Sequence, residues 1–404
     1  MAIAQGISKI TVFKKQTGLG VSASGTGGQI MRRESSANVL KKDTYANNEI
    51  VSHQQSTGKT HGLRSVDISL NGVLSPGTYA ASVGSILRRD FTTLTAITAV
   101  SVTIAGTAPT WTVTRAAGSF LTDGFKIGHV IRLTVGTLNA LNINKNLLII
   151  GLTATVATVR VLNETNMFAE GPITGTTITM VGKQTFAPLT GHTRDYYTVE
   201  DWQSDITQSE LFTDVILGMA DFSLPSTGNA TIQLGGPGLN RSSGSSQILT
   251  TPTAETTSNV MAAVNGDLIV NGVVMANVTG LSIKIDGKAA NMGAVVGANI
   301  SPDIQRGIIE VTGQFTAFYQ DGVLPALFDA ATQISLVFAM TADSSATSDF
   351  MSFVIPNITL DGDSKDDGDK AIVRTFPFTA RLHAAGGTGA NSEKTIILIQ
   401  DSLA

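Results

Sequence analysis

The sequence predicts a mainly β protein, in which one β-rich unit with a single helix occurs twice and a small β domain is inserted. Three observations carry this. Apolar and polar residues alternate through many segments beyond residue 60, as in 65–70 (Ser-Val-Asp-Ile-Ser-Leu), 281–285 (Leu-Ser-Ile-Lys-Ile) and 308–318, the period-two pattern of half-buried strands. Only two segments stand out as helical, 76–88 and 324–331. The order strand, helix, long hairpin also appears twice, which marks an internal repeat.

In chain order, residues 1–60 read as a basic, Gly/Ser-rich extended arm. They hold eight basic groups (Lys9, Lys14, Lys15, Arg32, Arg33, Lys41, Lys42, Lys59) against Glu34, Asp43 and Glu49, a balance of +5 that leaves −9 for the rest of a chain of formal charge −4. Such an arm suits nucleic acid or an acidic copy of the chain itself. It lacks the interleaved aromatics of single-strand binders, so docking on a copy, or plain solvation, is favoured.

The first unit spans 61–93 and 188–240. Its helix is expected to open at Ser75-Pro76, with Ser as N-cap and Pro at the first helical position, and to close on Arg88 and Arg89 at the negative end of the helix dipole. Tyr79, Val83, Ile86 and Leu87 recur at helical spacing, so one face packs on a sheet. Setting Gly62 on Gly307 places Val66 on Val311 and Leu70 on Phe315. Hairpins follow both helices at a distance, 215–224 with 230–234 and 353–360 with 371–382. A linker over 241–260 leads to the second unit, 261–404. Between the parts of the first unit, the Thr/Val-rich stretch 94–187 is long enough to close a small sandwich or barrel. Its ends should meet on the surface of the host unit, where insertions are tolerated.

Composition narrows the function. The 404 residues are 42% hydrophobic but only 14% charged, against about a quarter charged in an average soluble domain. A core is within reach, and the charge-poor surface suits burial between copies. There is no cysteine, which excludes a disulfide scaffold, thiolate zinc sites and a Cys nucleophile. Residues 1–20 do not read as a secretory signal, and the longest apolar stretches, such as 147–152, fall far short of a membrane helix.

No arrangement of side chains supports an enzyme, a metal or a cofactor. Gly58-Lys59-Thr60 resembles the end of a P-loop, but His53 stands where that motif needs Gly. The five histidines (His53, His61, His129, His192, His383) have no metal-ligand spacing and are expected on the surface or in packed positions. The acidic run Asp361, Asp363, Asp366, Asp367 and Asp369 fails as a calcium loop, with Lys365 at the fifth position, Asp366 in place of Gly and Ile372 in place of the bidentate Glu. It is expected instead as an exposed hairpin tip that repels a polyanion or meets a basic arm.

Several segments, in order, resemble the tail tube (major tail) proteins of long non-contractile-tailed bacteriophages. They are Lys14-Lys15-Gln16-Thr17-Gly18-Leu19-Gly20 with Gly28-Gln29-Ile30-Met31-Arg32-Arg33, Lys41-Lys42-Asp43-Thr44-Tyr45, Gly62-Leu63-Arg64-Ser65-Val66, Tyr197-Thr198-Val199-Glu200-Asp201-Trp202, and Val311-Thr312-Gly313-Gln314-Phe315-Thr316-Ala317-Phe318-Tyr319 with Leu327-Phe328. The inserted stretch is similar to small β domains carried by phage structural proteins. The resemblance implies tail-tube-type β-sandwich units, each with one flanking helix, whose inner strands close a barrel around a channel. It also implies rings that stack into a tube carrying DNA and the tape-measure protein, with distal or terminal tail proteins as further partners, in a virion component made in the host cytoplasm.

Two units per chain then predict a homotrimeric, pseudo-hexameric ring, the alternative being a true hexamer. The acidic body is expected to face the channel, with Asp361, Asp363, Asp366, Asp367 and Asp369 in the lumen or between rings. The arm is expected to order on assembly, with Lys14, Lys15, Arg32 and Arg33 touching a neighbouring subunit. The insertion is expected on the outside as removable decoration, with glycan adhesion and ring bracing as other roles. The competing functional reading is a non-tail self-assembling surface or fibre subunit, or a glycan-binding module.

Overall fold

The computed structural model describes residues 3–404 except 54, 165, 276 and 367–369, and omits the side chain of Ala263. In chain order, β1 (Lys9–Lys15), β2 (Gln29–Ile30), β3 (Val39–Ala46) and β4 (Lys59–Val73) lead to α1 (Ala80–Leu87). Then come β5 (Ile97–Thr107), β6 (Thr110–Arg115), β7 (Val130–Thr134), β8 (Leu147–Leu152), β9 (Val156–Val161) and β10 (Glu170–Met180). The chain continues through β11 (Lys183–Phe186), β12 (Tyr197–Gln203), β13 (Gln208–Val215), β14 (Met219–Pro225), β15 (Thr231–Gly238) and β16 (Asn240–Gly244). After β17 (Gly266–Val270), β18 (Val273–Met275), β19 (Val278–Asp286) and β20 (Glu310–Phe318) comes α2 (Val323–Asp329). The last elements are β21 (Ile334–Thr341), β22 (Phe350–Leu360), β23 (Ser364–Lys365), β24 (Val373–Ala380) and β25 (Leu398–Asp401). The fold is mainly β, as the alternating pattern predicts.

A long sheet runs β18-β17-β21-β22-β24-β20-β19-β14-β15-β4-β3, with β25 adding to β22, β11 to β25 and β23 to β24. A smaller sheet runs β16-β13-β12-β1-β2. The long sheet doubles back at β22, whose first part pairs with β21 and whose last three residues pair with β24. One apolar core joins the layers, with Phe13, Val199 and Phe212 from the smaller sheet, Leu70, Phe222, Ile283, Phe315 and Phe376 from the middle of the long one, and Leu268, Phe338 and Phe353 from its folded-back end. Phe222 meets Phe353 edge-on at 4.9 Å, and Phe315 stacks on Phe376 at 5.3 Å, geometries worth about 1 kcal/mol each beyond area burial.

β5 to β10 close a six-stranded barrel in the order β8-β9-β6-β5-β10-β7, filled by side chains that include Trp111, Phe120 and Phe125. It is fastened to the body rather than hanging from it. Val130, Leu148, Leu162 and Val181 form a second core with Ile269, Val337, Phe350, Val354 and Leu398. Gln400 donates to the carbonyls of Val130 and Val181 and accepts from the Val130 amide. Asn146 donates to the Ser348 carbonyl, and its backbone amide donates to that of Ala346. Removable decoration is therefore the wrong description. The barrel covers an apolar face of β17, β21 and β22 that would otherwise meet water.

The arm also differs from expectation. β1 pairs with β12 over seven residues, and its Val12 and Phe13 are buried. Two apolar positions in the middle of a seven-residue strand suffice to anchor it, although the surrounding Gly, Ser and Lys read as an extended chain. Only the tip between β3 and β4 stands away from the body. Helix α1 starts four residues later than the Ser75-Pro76 signal suggests, because 76–78 form a turn. Gly77, at φ +74, gives its amide to both carboxylate oxygens of Asp401, and the Ser75 hydroxyl contacts that of Thr78 instead of capping. Arg88 ends the helix in the left-handed region, at φ +64. α2 begins one residue before the expected 324 and ends at Asp329.

Candidate functional site

Strict alternation gives the middle of the long sheet two unlike faces. Val66, Ile68 and Leu70 of β4, Phe222 and Leu224 of β14, Ile283 and Ile285 of β19 and Phe315 of β20 point into the core, so the residues between them share the opposite face. Register places these in rows across six strands. One row is Asn71, Gln233, Asp221, Lys284, Thr312 and Thr379; the next is Val73, Thr231, Ser223, Ser282, Gln314 and Pro377; a third holds Ser69, Gly235, Met219, Asp286 and Glu310. Together they line a groove of about 760 Å³ bordered by Glu34 and Asp361, with a second hollow of about 500 Å³ beside it at Asp67 and Asp286.

The electrostatics of this face follow from its pairs. Among the described residues, Glu34, Asp67, Asp221, Asp286, Glu310 and Asp361 supply the carboxylates, and three lysines accompany them. Lys41 is bonded to Asp67, Lys288 lies 2.8 Å from Glu310 and 3.4 Å from Asp286, and Lys284 stands directly opposite Asp221. Partial burial raises the pKa of Asp221, which the charge of Lys284 offsets. The rest of the surface is hydroxyl and amide. It offers a polyanion neighbouring water and hydrogen bonds, with each cation already facing a carboxylate.

This surface ends in two strand edges. Beyond β4, β3 has no further strand on its outer side; beyond β24 the chain runs along 358–366, where β22, β23 and the Asp366 amide all pair with β24 and the outer side is again unpaired. Between the two edges, β14 and β19 pair over seven residues.

A comparison with curated proteins gives no match. The sequence model of the family described as Phage tail tube protein matches residues 9–380. The chain belongs to the phage tail tube family. It is a structural component of the phage tail, and the family is a structural one rather than a known enzyme family. The match spans both helices, the barrel and the whole polar face.

The residues singled out from the sequence of this tail tube protein are spread out. Asp361 accepts from the Thr379 hydroxyl at the border of the groove. Asp363 is tied to Arg374, which itself stacks on Tyr319 at 4.1 Å. The Asp366 amide pairs with the Val373 carbonyl, and Asp367 and Asp369 lie outside the described residues. The acidic run is thus a strand edge with long-range partners, and its described part is no cluster. The four basic residues assigned to a neighbouring subunit all have partners within the chain. Lys14 donates to the carbonyls of Ser24 and Thr26, Lys15 pairs with Asp195 at 2.7 Å, Arg32 donates to Ser75 and to the Ser258 carbonyl, and Arg33 donates to the Lys9 carbonyl. Sequence reasoning missed Asp221, Lys284, Ser282 and Gln314. Their signal was present as the polar half of the alternation, read only as evidence for strands.

Proposed function

We propose that the chain is a tail tube subunit in which two copies of one β unit are joined head to tail, and that three chains close a pseudo-hexameric ring whose polar face lines a channel for double-stranded DNA. The repeat is supported strand by strand. β3-β4-β15-β14 and β19-β20-β24-β22 follow the same order, with each helix placed after the second strand; Leu70 faces Leu234 as Phe315 faces Phe376. The outer strands β2-β1-β12-β13-β16 likewise correspond to β18-β17-β21-β22-β25.

The observation that carries the ring is the β14–β19 pairing. There the last inner strand of one unit takes the first inner strand of the next, and the two open edges of the chain are the same two strands. Joining copies through these edges repeats the internal junction and leaves no inner strand unpaired, which removes the uncontrolled pairing that open edges invite. On the polar face the paired lysines leave few contacts for phosphate, so DNA passes without the counterion release that would hold it. The same reading makes the tape-measure protein and terminal tail proteins the other partners, with synthesis in the host cytoplasm.

The internal junction also gives the register. Asp221 faces Lys284; through the aligned strands the corresponding pair between copies is Ser364 of one and Val39 of the next. In a chain without cysteine, Val39→Cys combined with Ser364→Cys should yield a covalent trimer on oxidation of assembled protein, while either variant alone stays monomeric on a denaturing gel. Rings that contain six chains, or assembled rings that give no cross-link, would sink the trimer. A second expectation concerns the channel. Thr231→Lys with Gln314→Lys adds unpaired cations to the polar face, and the tubes should then bind duplex DNA at least tenfold more tightly at low salt, with an affinity that falls steeply as salt rises. DNA binding equal to that of unaltered tubes would place this face elsewhere than the lumen.

A further inference from the structure

The strands of the polar face end in two rims, and each rim carries an apolar feature that the chain leaves uncovered. At one end, the connection between β19 and β20 projects a turn. From Ala289 to Ser301 it contains no charged residue. Met292, Val295 and Val296 are exposed, with Val296 wholly so. The turn is built rather than loose. Ala290 and Asn291 pair with Gln305 and Ile304, the Ala298 amide bonds to the Val295 carbonyl, and Arg64 holds Asn299 by backbone and side chain. Gly293 and Gly297, at φ +105 and +86, provide the left-handed positions that let it bend sharply.

At the other end lies a cleft of about 480 Å³ walled by Pro225, Val264, Leu268, Val274, Met275 and Phe338. Arg160 of the barrel also lines it, and its Nε is buried with no hydrogen-bond partner. A buried donor of this kind costs free energy until an acceptor reaches it. β19 connects the two features, since Val278 borders the cleft and Asp286 lies at the root of the turn. Nine strand residues separate them by about 30 Å, so the turn of a chain cannot reach its own cleft.

We infer that the turn around Val295 and Val296 of one ring inserts into the cleft of the ring stacked on it, and that this contact is the axial joint of the tube. The inference rests on the ring and channel proposed above. A second copy is the occupant that the chain itself points to. The turn is apolar and uncharged where the cleft is apolar, a carbonyl of the turn supplies an acceptor for Arg160, and the two features sit at opposite ends of the same strands. A contact between two different patches that does not close on itself propagates without limit, which is what a tube requires and a closed oligomer does not.

Val295→Asp with Val296→Asp tests it, because both side chains are exposed and the fold does not depend on them. Rings of unchanged mass and diameter should form, while the mean tube length seen by negative-stain electron microscopy falls at least tenfold. Tubes of ordinary length would overturn the inference and leave the ring standing. Unaltered protein that forms neither rings nor tubes would instead overturn the ring, and the joint with it. As a second measurement, Val264→Cys with Val296→Cys should on oxidation give a covalent ladder extending beyond three chains, absent from each single variant; tubes that show no such ladder would mean that another element fills the cleft.

Discussion

Replacing His129 by Asn should make the protein resist acid, with the largest gain between pH 6.5 and 4.5. His129 is wholly buried in the barrel, where its Nδ1 accepts from the Lys126 amide, and burial together with the nearby Lys126 charge lowers its pKa to about 3. The unfolded chain takes up a proton near 6.5 and the folded chain does not, so folding stability falls as pH drops through that window. Each pH unit is worth about 1.4 kcal/mol, and the full interval about 5 kcal/mol. Asp401 works in the other direction. Burial raises it to about 6 despite its bonds to the Gly77 and Leu403 amides, so between about pH 6 and its ordinary value the folded chain holds the extra proton. That group gives up to about 3 kcal/mol on acidification, and in the native protein it cancels much of the histidine loss. The informative quantity is therefore the difference between the two proteins. Urea unfolding should show the His129→Asn variant gaining about 3 kcal/mol on the unaltered chain between pH 6.5 and pH 4.5; a difference independent of pH would mean that His129 ionises in the folded state.

What could be read from the sequence depended on the range of the forces involved. The alternation of β4, β14, β19 and β20 reflects each strand's own two faces, so both the hairpins and the paired positions Leu70 and Phe315 were legible. The helix start was not. Ser75-Pro76 is a sound local signal, but the Gly77 amide is captured by Asp401, which lies 324 positions away. The acidic run likewise took its character from Arg374 and Thr379 across a strand pair, and β1 took its order from β12, nearly 190 residues later. The polar face went unrecognised because hydroxyl and amide side chains look the same on any solvated sheet. What singles them out is the register that collects six strands into one surface. The run 147–152 did carry a hint of the barrel's attachment. A strand apolar on consecutive positions is buried on both faces, and in β8 Leu147 and Ile149 point into the barrel while Leu148 points at the body.

That attachment leads to the second large effect. Removing residues 94–184 should leave no soluble folded chain, although the ends of the insertion are close enough for Thr92 to pair with Gln184. The deletion uncovers Ile269, Val337, Phe350, Val354 and Leu398 together, and at about 2 kcal/mol for each large apolar side chain the loss is roughly 10 kcal/mol, the whole stability of an ordinary domain. A smaller change isolates the same joint. Gln400→Ala strips partners from the Val130 amide and from the carbonyls of Val130 and Val181, and three unsatisfied buried groups cost about 3 kcal/mol or more. Gln400→Glu separates bonding from shape, since it can still accept from the Val130 amide but, when ionised, donates to neither carbonyl. Unfolding of both variants followed by urea should show a loss in each. A deletion chain that purifies as a folded, ring-forming protein would return the barrel to the role of ornament. A seat of this kind predicts that the barrel, inserted in the first half of the chain and resting on the second, holds the two halves at the angle a closed ring needs.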